Sequence, residues 1–324
     1  MSSLDSTTIA WQLVYQKCFL NLIAALKEES IEFLVLKGAA LSSQLYNDPF
    51  TRSFVDIDIL VKREDLKQAQ KLLHSIGFNP RVQLNNAQMK QECFITHAQE
   101  FTDEQSSISV DLHWRFFESF YGWVSKDSKV SNFFADSLEV IVFNESIKTI
   151  NSQTLFLYLG LHFAKSFFQD KRYQKDIFQL LKNETLNYSQ IILDARSQKS
   201  LTAITALFLY LVEHQQIERS ILRYFTDPEI SRAQKIVTQL KVLSALHEPL
   251  SKMQQLQLNL AFQDSLILKI RFILLRYCVP FGEDWQTVSL PSSLTLLYVP
   301  LKILKTIWKG LLSCFSYILP SSSV

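Results

Sequence analysis

Glycine is scarce in this chain of 324 residues: there are six, against 24 phenylalanines. Glycine marks turns and phenylalanine fills interiors, so the deficit argues for few loops, an aromatic core and many helices. Cysteine is sparse as well. Cys18, Cys93, Cys278 and Cys314 form no CxxC pair, and no histidine stands at zinc-ligand spacing from them. That argues against a zinc site, and the four read as reduced, buried thiols of a cytoplasmic protein. A surplus of one sign of charge is missing too. Lys plus Arg total 33 and Asp plus Glu 31, a formal net charge of +2, which speaks against an extended nucleic-acid footprint. No run of 18 apolar residues is free of charge, so no spanning helix is expected. Residues 1–12 have neither the basic nor the apolar segment of a signal peptide.

What is present is an ordinary globular balance, 48% hydrophobic and 20% charged, in a chain long enough for two domains. Residues 5–28 carry Trp11, Val14, Cys18, Leu22, Ala25 and Leu26 at helical spacing. A short apolar strand follows at 32–36, then Lys37-Gly38, then a helix over 39–46 that Asn47-Asp48-Pro49 breaks. Arg52 lies in the loop before a strand over 54–61. An amphipathic helix over 64–76 ends at Gly77, and strands are expected at 80–84, 91–97 and 107–113, with a turn at 103–106. After a hairpin-like segment at 138–150 the pattern becomes helical, over 153–168, 171–182, 188–197, 200–215, 228–246, 250–259 and 261–277. The expected division is an α/β unit over 1–150 with an N-terminal helix, and an α-helical unit over 151–324 with an amphipathic tail.

The strand over 54–61 holds Asp56 and Asp58, two residues apart and therefore on one face. Like charges that close repel unless something positive lies between them. A divalent cation answers this, and oxygen-only ligands favour Mg²⁺ or Mn²⁺. The segment SVDLHW delivers a third carboxylate, Asp111, with His113 on its face as a neighbouring hydrogen-bonding group or, second to that because Mg²⁺ prefers oxygen, an outer metal ligand. Gly38, between a strand and a helix N-terminus, makes a natural phosphate site, because free N–H groups and the helix dipole point at the anion. Lys37 and Arg52 are cations near it. Carboxylates on adjoining strands, a glycine turn and nearby cations are what phosphoryl or nucleotidyl transfer requires. Beside these stand quieter readings. His162, on an apolar helix, is a core histidine or a group near the site; Asp176 is a solvated helix charge; Trp114 is a core residue or a wall for a base.

The order of glycine turn, DxD strand and later strand Asp resembles the nucleotidyltransferase superfamily whose best-known fold is that of polymerase β. More locally, LVLKGAALSSQLYNDPFTRSFVDIDILV, an amphipathic helix ending in Gly-Phe, and then VDLHW look like the family of uncharacterised nucleotidyltransferases. LFLYLGLHFAKSFFQDKRYQKDIFQLL, with His162 and Asp176, is similar to that family's helical segment, and Asp284-Trp285, Leu290-Pro291 and Tyr298 to its C-terminal one. The resemblance implies an α+β fold: a polymerase-β-like domain with a mixed sheet, followed by a mostly α-helical domain. It implies that Asp56, Asp58 and Asp111 are the metal and catalytic carboxylates and that Gly38, Lys37 and Arg52 meet the phosphates. Ala39 departs from the Gly or Ser that usually follows the turn glycine, and Ser42 and Ser43 lie one turn later as alternative hydroxyls.

The expected function is Mg²⁺-dependent transfer of an NMP from an NTP such as ATP to an unidentified acceptor (small molecule, protein or RNA), with pyrophosphate released. Two other readings stand beside it: a toxin-type nucleotidyltransferase that modifies tRNA or protein, and a non-catalytic nucleotide-binding scaffold docked to a membrane. The tail, 291–318, carries Lys302, Lys305 and Lys309 on one helical face and apolar residues on much of the rest. It reads equally as an interfacial membrane helix, making the protein peripherally membrane-bound, or as a helix packed on its own domain.

Overall fold

The structure is a computed structural model that describes residues 6–103, 108–123, 133–245, 248–288 and 290–318. The fold is α+β with a mixed sheet, as the resemblance implied. In chain order the first part holds α1 (Ser6–Glu28), β1 (Phe33–Val35), α2 (Gly38–Tyr46), β2 (Asp56–Val61), α3 (Leu66–Ser75), β3 (Asn79–Pro80), α4 (Asn86–Ile95), β4 (Ala98–Thr102) and β5 (Ser109–His113). A hairpin of β6 (Leu138–Val142) and β7 (Glu145–Thr149) follows. The rest is helical: α5 (Ser152–Lys165), α6 (Lys171–Asn183), α7 (Tyr188–Ser197), α8 (Leu201–Glu213), α9 (Asp227–Ala245), α10 (Lys252–Ala261), α11 (Leu266–Cys278) and α12 (Tyr298–Ile318). Of the turn expected at 103–106, residues 104–106 lie outside the described residues, as does the Pro-Ser-Ser-Ser end.

The sheet runs β1-β2-β5-β4-β3. β2 and β5 are parallel at its centre, and the β1–β2, β5–β4 and β4–β3 pairs are antiparallel. Strand alternation sorts the side chains into two cores. Phe33, Val35, Ile57, Ile59, Val61, Val110 and Leu112 enter one with the α1 residues Tyr15, Phe19 and Leu22. Leu34, Leu36 and Leu60 point the other way, into a larger core shared with α5, α7 and α8. Asp56 and Asp58 alternate with Ile57 and Ile59, so they share the face of Leu60, which is turned toward the helices.

Two differences from the sequence reading concern the second half of the sheet. Residues 91–95 belong to α4, and the strand lies at 98–102 instead of 91–97. The helix begins where Asn85 caps it: its side chain accepts from the N–H groups of Ala87 and Gln88, while Gln88 reaches back to the Asn85 N–H. That capping box satisfies the first-turn donors and outweighs the strand-like run Cys93-Phe94-Ile95-Thr96. The strand expected at 80–84 is reduced to Asn79–Pro80. In addition, α1 meets the length and composition of a membrane-crossing helix, but its Tyr15, Phe19, Leu22, Ile23 and Leu26 side chains are buried against the sheet.

The C-terminal segment is fastened to the first part of the chain. The Glu92 carboxylate accepts from the Gly282 N–H at 3.0 Å and from the Trp285 indole N–H at 2.7 Å. Lys302 and Lys305 both donate to Asp284. Lys302 and Lys305 are thus turned inward, onto one carboxylate, while Lys309 is exposed.

Candidate active site

The site grows from the register of the two central strands. Asp58 faces Asp111 directly across the parallel ladder, and Asp56 faces Ser109. Period-two alternation then puts all three carboxylates on the helix-facing side, with His113 two residues beyond Asp111. His113 Nε2 lies 2.9 Å from Asp58 Oδ1, and Lys37 Nζ donates to the same oxygen at 3.4 Å. Ligand atoms of Asp58, Asp111 and His113 come within 4.8 Å of one another. The other Asp58 oxygen, Oδ2, is buried and has no hydrogen-bond partner among the described residues.

The electrostatics of the three carboxyls differ. Burial raises Asp56, and the charge of Asp58 raises it further. Burial and the two neighbouring carboxylates push Asp111 up to about 6, against the pull of His113 and Lys37. Burial would also raise Asp58, but Lys37 and His113 outweigh it and hold that carboxyl well below its usual range. In turn, Asp58 keeps the Lys37 ammonium charged although its side chain is only 15% exposed. The face therefore carries more negative charge than Lys37 and His113 balance. An orphaned buried oxygen and two elevated carboxyls fit a divalent cation, and the oxygen donors Asp56, Asp58 and Asp111 would hold it.

Gly38 opens α2 at φ +58°, a conformation L-residues rarely adopt. A Cβ there would lie 2.9 Å from Tyr15 Oη and 3.2 Å from the Asp56 carbonyl oxygen. The glycine thus lets the N-terminus of α2 press against the start of β2, beside the carboxylates. Lys37 occupies the position before it, over the ring of Tyr158. Ala39 is fully buried in the core that contains Tyr15.

Other expected residues sit elsewhere. Ser42 is fully buried; its hydroxyl donates to the Asp48 carbonyl at 2.6 Å and accepts from the Arg52 N–H at 3.0 Å. It therefore ties down the loop between α2 and β2. Arg52 Nε donates to Asp176 Oδ2 at 2.7 Å, and Tyr46 donates to Asp176 Oδ1 at 2.9 Å. Asp176 is not a solvated helix charge: it is 1% exposed and is the buried partner of Arg52. His162 lies among the rings of Phe117, Tyr158 and Tyr173, with Nδ1 3.4 Å from Tyr173 Oη. Burial pushes it well below its ordinary value, so it is neutral.

Behind His113 is a group that sequence reasoning missed. The His97 ring lies 5.2 Å from that of His113. His97 Nδ1 is 3.7 Å from Glu118, whose carboxylate accepts two bonds from Lys165 at 2.9 and 3.0 Å. Burial holds His97 down at about 3. Lys165 more than offsets the burial of Glu118 and brings it to about 2. No spacing signal links 97, 118 and 165; only the packing of α5 on this end of the sheet does.

A family model described as uncharacterised nucleotidyltransferase matches residues 7–215, more than half of the chain. Among solved structures, the chain is similar to the antibiotic-resistance factor ANT(2'')-Ia, at 10% identity and a TM-score of 0.40, covering 64% of this chain and 97% of that one. It is also similar to the lincosamide antibiotic adenylyltransferase LnuA, at 15% identity and a TM-score of 0.35, over 51% and 94%. A third is an antigenic nucleotidyltransferase-like protein from Paracoccidioides brasiliensis, at 13% identity and a TM-score of 0.37, over 63% and 90%. No curated protein matches the chain.

Proposed function

Because the chain belongs to the family of uncharacterised nucleotidyltransferases, we propose that it transfers an NMP from an NTP to an acceptor hydroxyl or phosphate and releases pyrophosphate, using Asp56, Asp58 and Asp111. The observation that carries this reading is the direct opposition of Asp58 and Asp111 across the β2–β5 ladder, with Asp58 Oδ2 buried and unpartnered. A divalent cation on these oxygens, Mg²⁺ or Mn²⁺ by the preference of hard ions for carboxylates, would supply positive charge to the phosphates and acidify the attacking group.

The chain's own residues do the rest. The N-terminus of α2, freed by Gly38 to approach β2, offers N–H groups and a positive dipole end to the triphosphate. Lys37, charged and largely enclosed beside Asp58, faces the negative charge that develops as pyrophosphate departs. Asp111, with its carboxyl up at about 6, takes the proton of an attacking hydroxyl. The acceptor oxygen bonds to the α-phosphorus, and the bond from that phosphorus to the bridging oxygen breaks. Arg52 does not reach for phosphate in this arrangement; its ion pair with Asp176 fixes the loop before β2 against α6. Residues 1–150 then carry the chemistry, while 151–324 cover the nucleotide and present the acceptor.

The test is incubation with labelled NTPs, Mg²⁺ and cell extract. Label transfer that disappears in an Asp56→Asn, Asp58→Asn variant supports the reading. Absence of transfer, or transfer that survives both changes, sinks it.

A further inference from the structure

Helices α11 and α12 both turn apolar side chains toward solvent. They pack on each other, and Thr306 Oγ1 donates to the Tyr277 carbonyl between them. α12 spends Lys302 and Lys305 inward on Asp284, while Leu304, Ile307 and Trp308 face outward at 63%, 54% and 63% exposure. α11 buries Phe272 and turns Ile267, Ile270 and Leu274 outward at 78%, 50% and 52%. Spacings of three and four make each set a continuous stripe. Isolated exposed apolar residues need no explanation, but two such stripes on two packed helices do.

Charge says what covers them. Residues 266–318 hold six basic residues and two acidic ones, a surplus of four, where the whole chain nets only +2. Of the two acids, Asp284 is neutralised by Lys302 and Lys305, and Glu283 pairs with Arg81 at 3.5 Å. Lys269 sits one turn from Leu266 and Ile273 on one side of the α11 stripe, and Arg271 one turn from Ile267 and Leu274 on the other. Long basic side chains bordering an apolar stripe suit an anionic bilayer surface, where the stems lie along hydrocarbon and the heads reach phosphate. The segment Gly310–Ile318, which continues α12, has no charged residue in its sequence.

We propose that the face formed by α11 and α12 docks the protein on the surface of an anionic lipid bilayer. The stripes enter the boundary between headgroups and acyl chains, and Lys269 and Arg271 meet lipid phosphates. The cytoplasmic leaflet carries such anionic lipids. The contact is peripheral.

Full-length protein is spun down with vesicles of phosphatidylcholine alone or mixed with phosphatidylglycerol, and its mass in solution is measured by light scattering. The expected result is pelleting with the anionic vesicles, weakened by salt. Ile307→Glu with Trp308→Glu abolishes it, and Lys269→Glu lowers the partition coefficient by about tenfold, the scale of a charge or two at an anionic surface. Ile307 and Trp308 are exposed and Lys269 is half-buried, and unchanged circular dichroism shows that the variants fold. Failure to pellet, or pelleting indifferent to the Ile307 and Trp308 changes, overturns the proposal. So does a dimer that the same changes split, which would assign the face to a second copy of the chain. None of these readouts depends on nucleotide transfer.

Discussion

Arg52 and Asp176, 124 residues apart in the chain, form a buried ion pair with Nε 2.7 Å from Oδ2. The pair joins the loop before the carboxylate strand to α6, and Tyr46 supports it from α2 at 2.9 Å. Removing one member strands a buried charge, which costs about 3–5 kcal/mol, whereas replacing both by apolar residues is often close to neutral. Asp176→Ala is therefore expected to lose most of that amount in urea denaturation, and Arg52→Met with Asp176→Leu to recover much of it. If the double variant is as unstable as the single one, the pair is not the source of the loss.

The carboxylates predict opposite effects on stability and activity. Asp56 and Asp111 are raised by burial and by neighbouring negative charge, so neutralising either relieves repulsion in the metal-free protein. Asp111→Asn should unfold at a higher temperature than the parent without divalent cation, yet gain nothing when Mg²⁺ or Mn²⁺ is added, and its transfer rate should fall by at least about a hundredfold, the usual scale of losing a positioned base. Calorimetry with and without the ion reads both effects. A variant that still responds to the ion would remove Asp111 from the ligand set.

The same elevation fixes a pH dependence. Asp111 moves from an ordinary 3.8 to about 6 in the fold, so the folded state binds its proton more tightly than the unfolded state does. Its favourable contribution is complete below about 3.8 and is lost as pH rises through about 6. Asp58, held low by Lys37 and His113, contributes with the opposite sign, and its stabilisation is lost only in strong acid. Divalent cations compete with the Asp111 proton. Affinity measured by titration calorimetry should climb by up to about tenfold per pH unit below 6 and flatten above it, with proton uptake by the buffer in the lower range. A flat profile across that range would contradict the assignment.

Gly38→Ala tests the turn. The left-handed conformation costs an L-residue about 1–2 kcal/mol, and the new methyl would also meet Tyr15 Oη at 2.9 Å and the Asp56 carbonyl at 3.2 Å. Removing the hydroxyl with Tyr15→Phe should restore part of the stability, because the Asp56 carbonyl still stands in the way. Complete recovery would mean that backbone crowding at β2 is unimportant.

Glu92 predicts an effect far from the carboxylates. Glu92→Ala leaves the Trp285 indole N–H and the Gly282 N–H without their acceptor, a loss of about 1–3 kcal/mol for a buried donor. Limited proteolysis should then cut the segment after Pro280 sooner than in the parent. Equal cutting rates would show that Lys302 and Lys305 on Asp284 suffice to hold it.

The site was most legible where geometry is local. Asp56 and Asp58 share a face because strands alternate, and Gly38 between strand and helix marks its own conformation. The misplaced strand at 91–97 shows the limit of local propensity: its residues look extended, but a capping box six residues upstream commits them to a helix. Ser42 shows another limit. A hydroxyl near a phosphate turn invites a phosphate role, yet in the fold it is spent on Asp48 and Arg52.

The sequence by itself determined the three carboxylates, the glycine turn and the succession of helices after Asn151, since each follows from spacing within a few residues, while the α+β fold came from the resemblance to a family. Tertiary structure alone decided which charges meet. It gave Asp176 to Arg52, Lys302 and Lys305 to Asp284, and His97 to the neighbourhood of Glu118 and Lys165. Such partners lie up to 124 residues apart, and burial, which forces charges to find one another, is a property of the packed chain that no window of sequence contains.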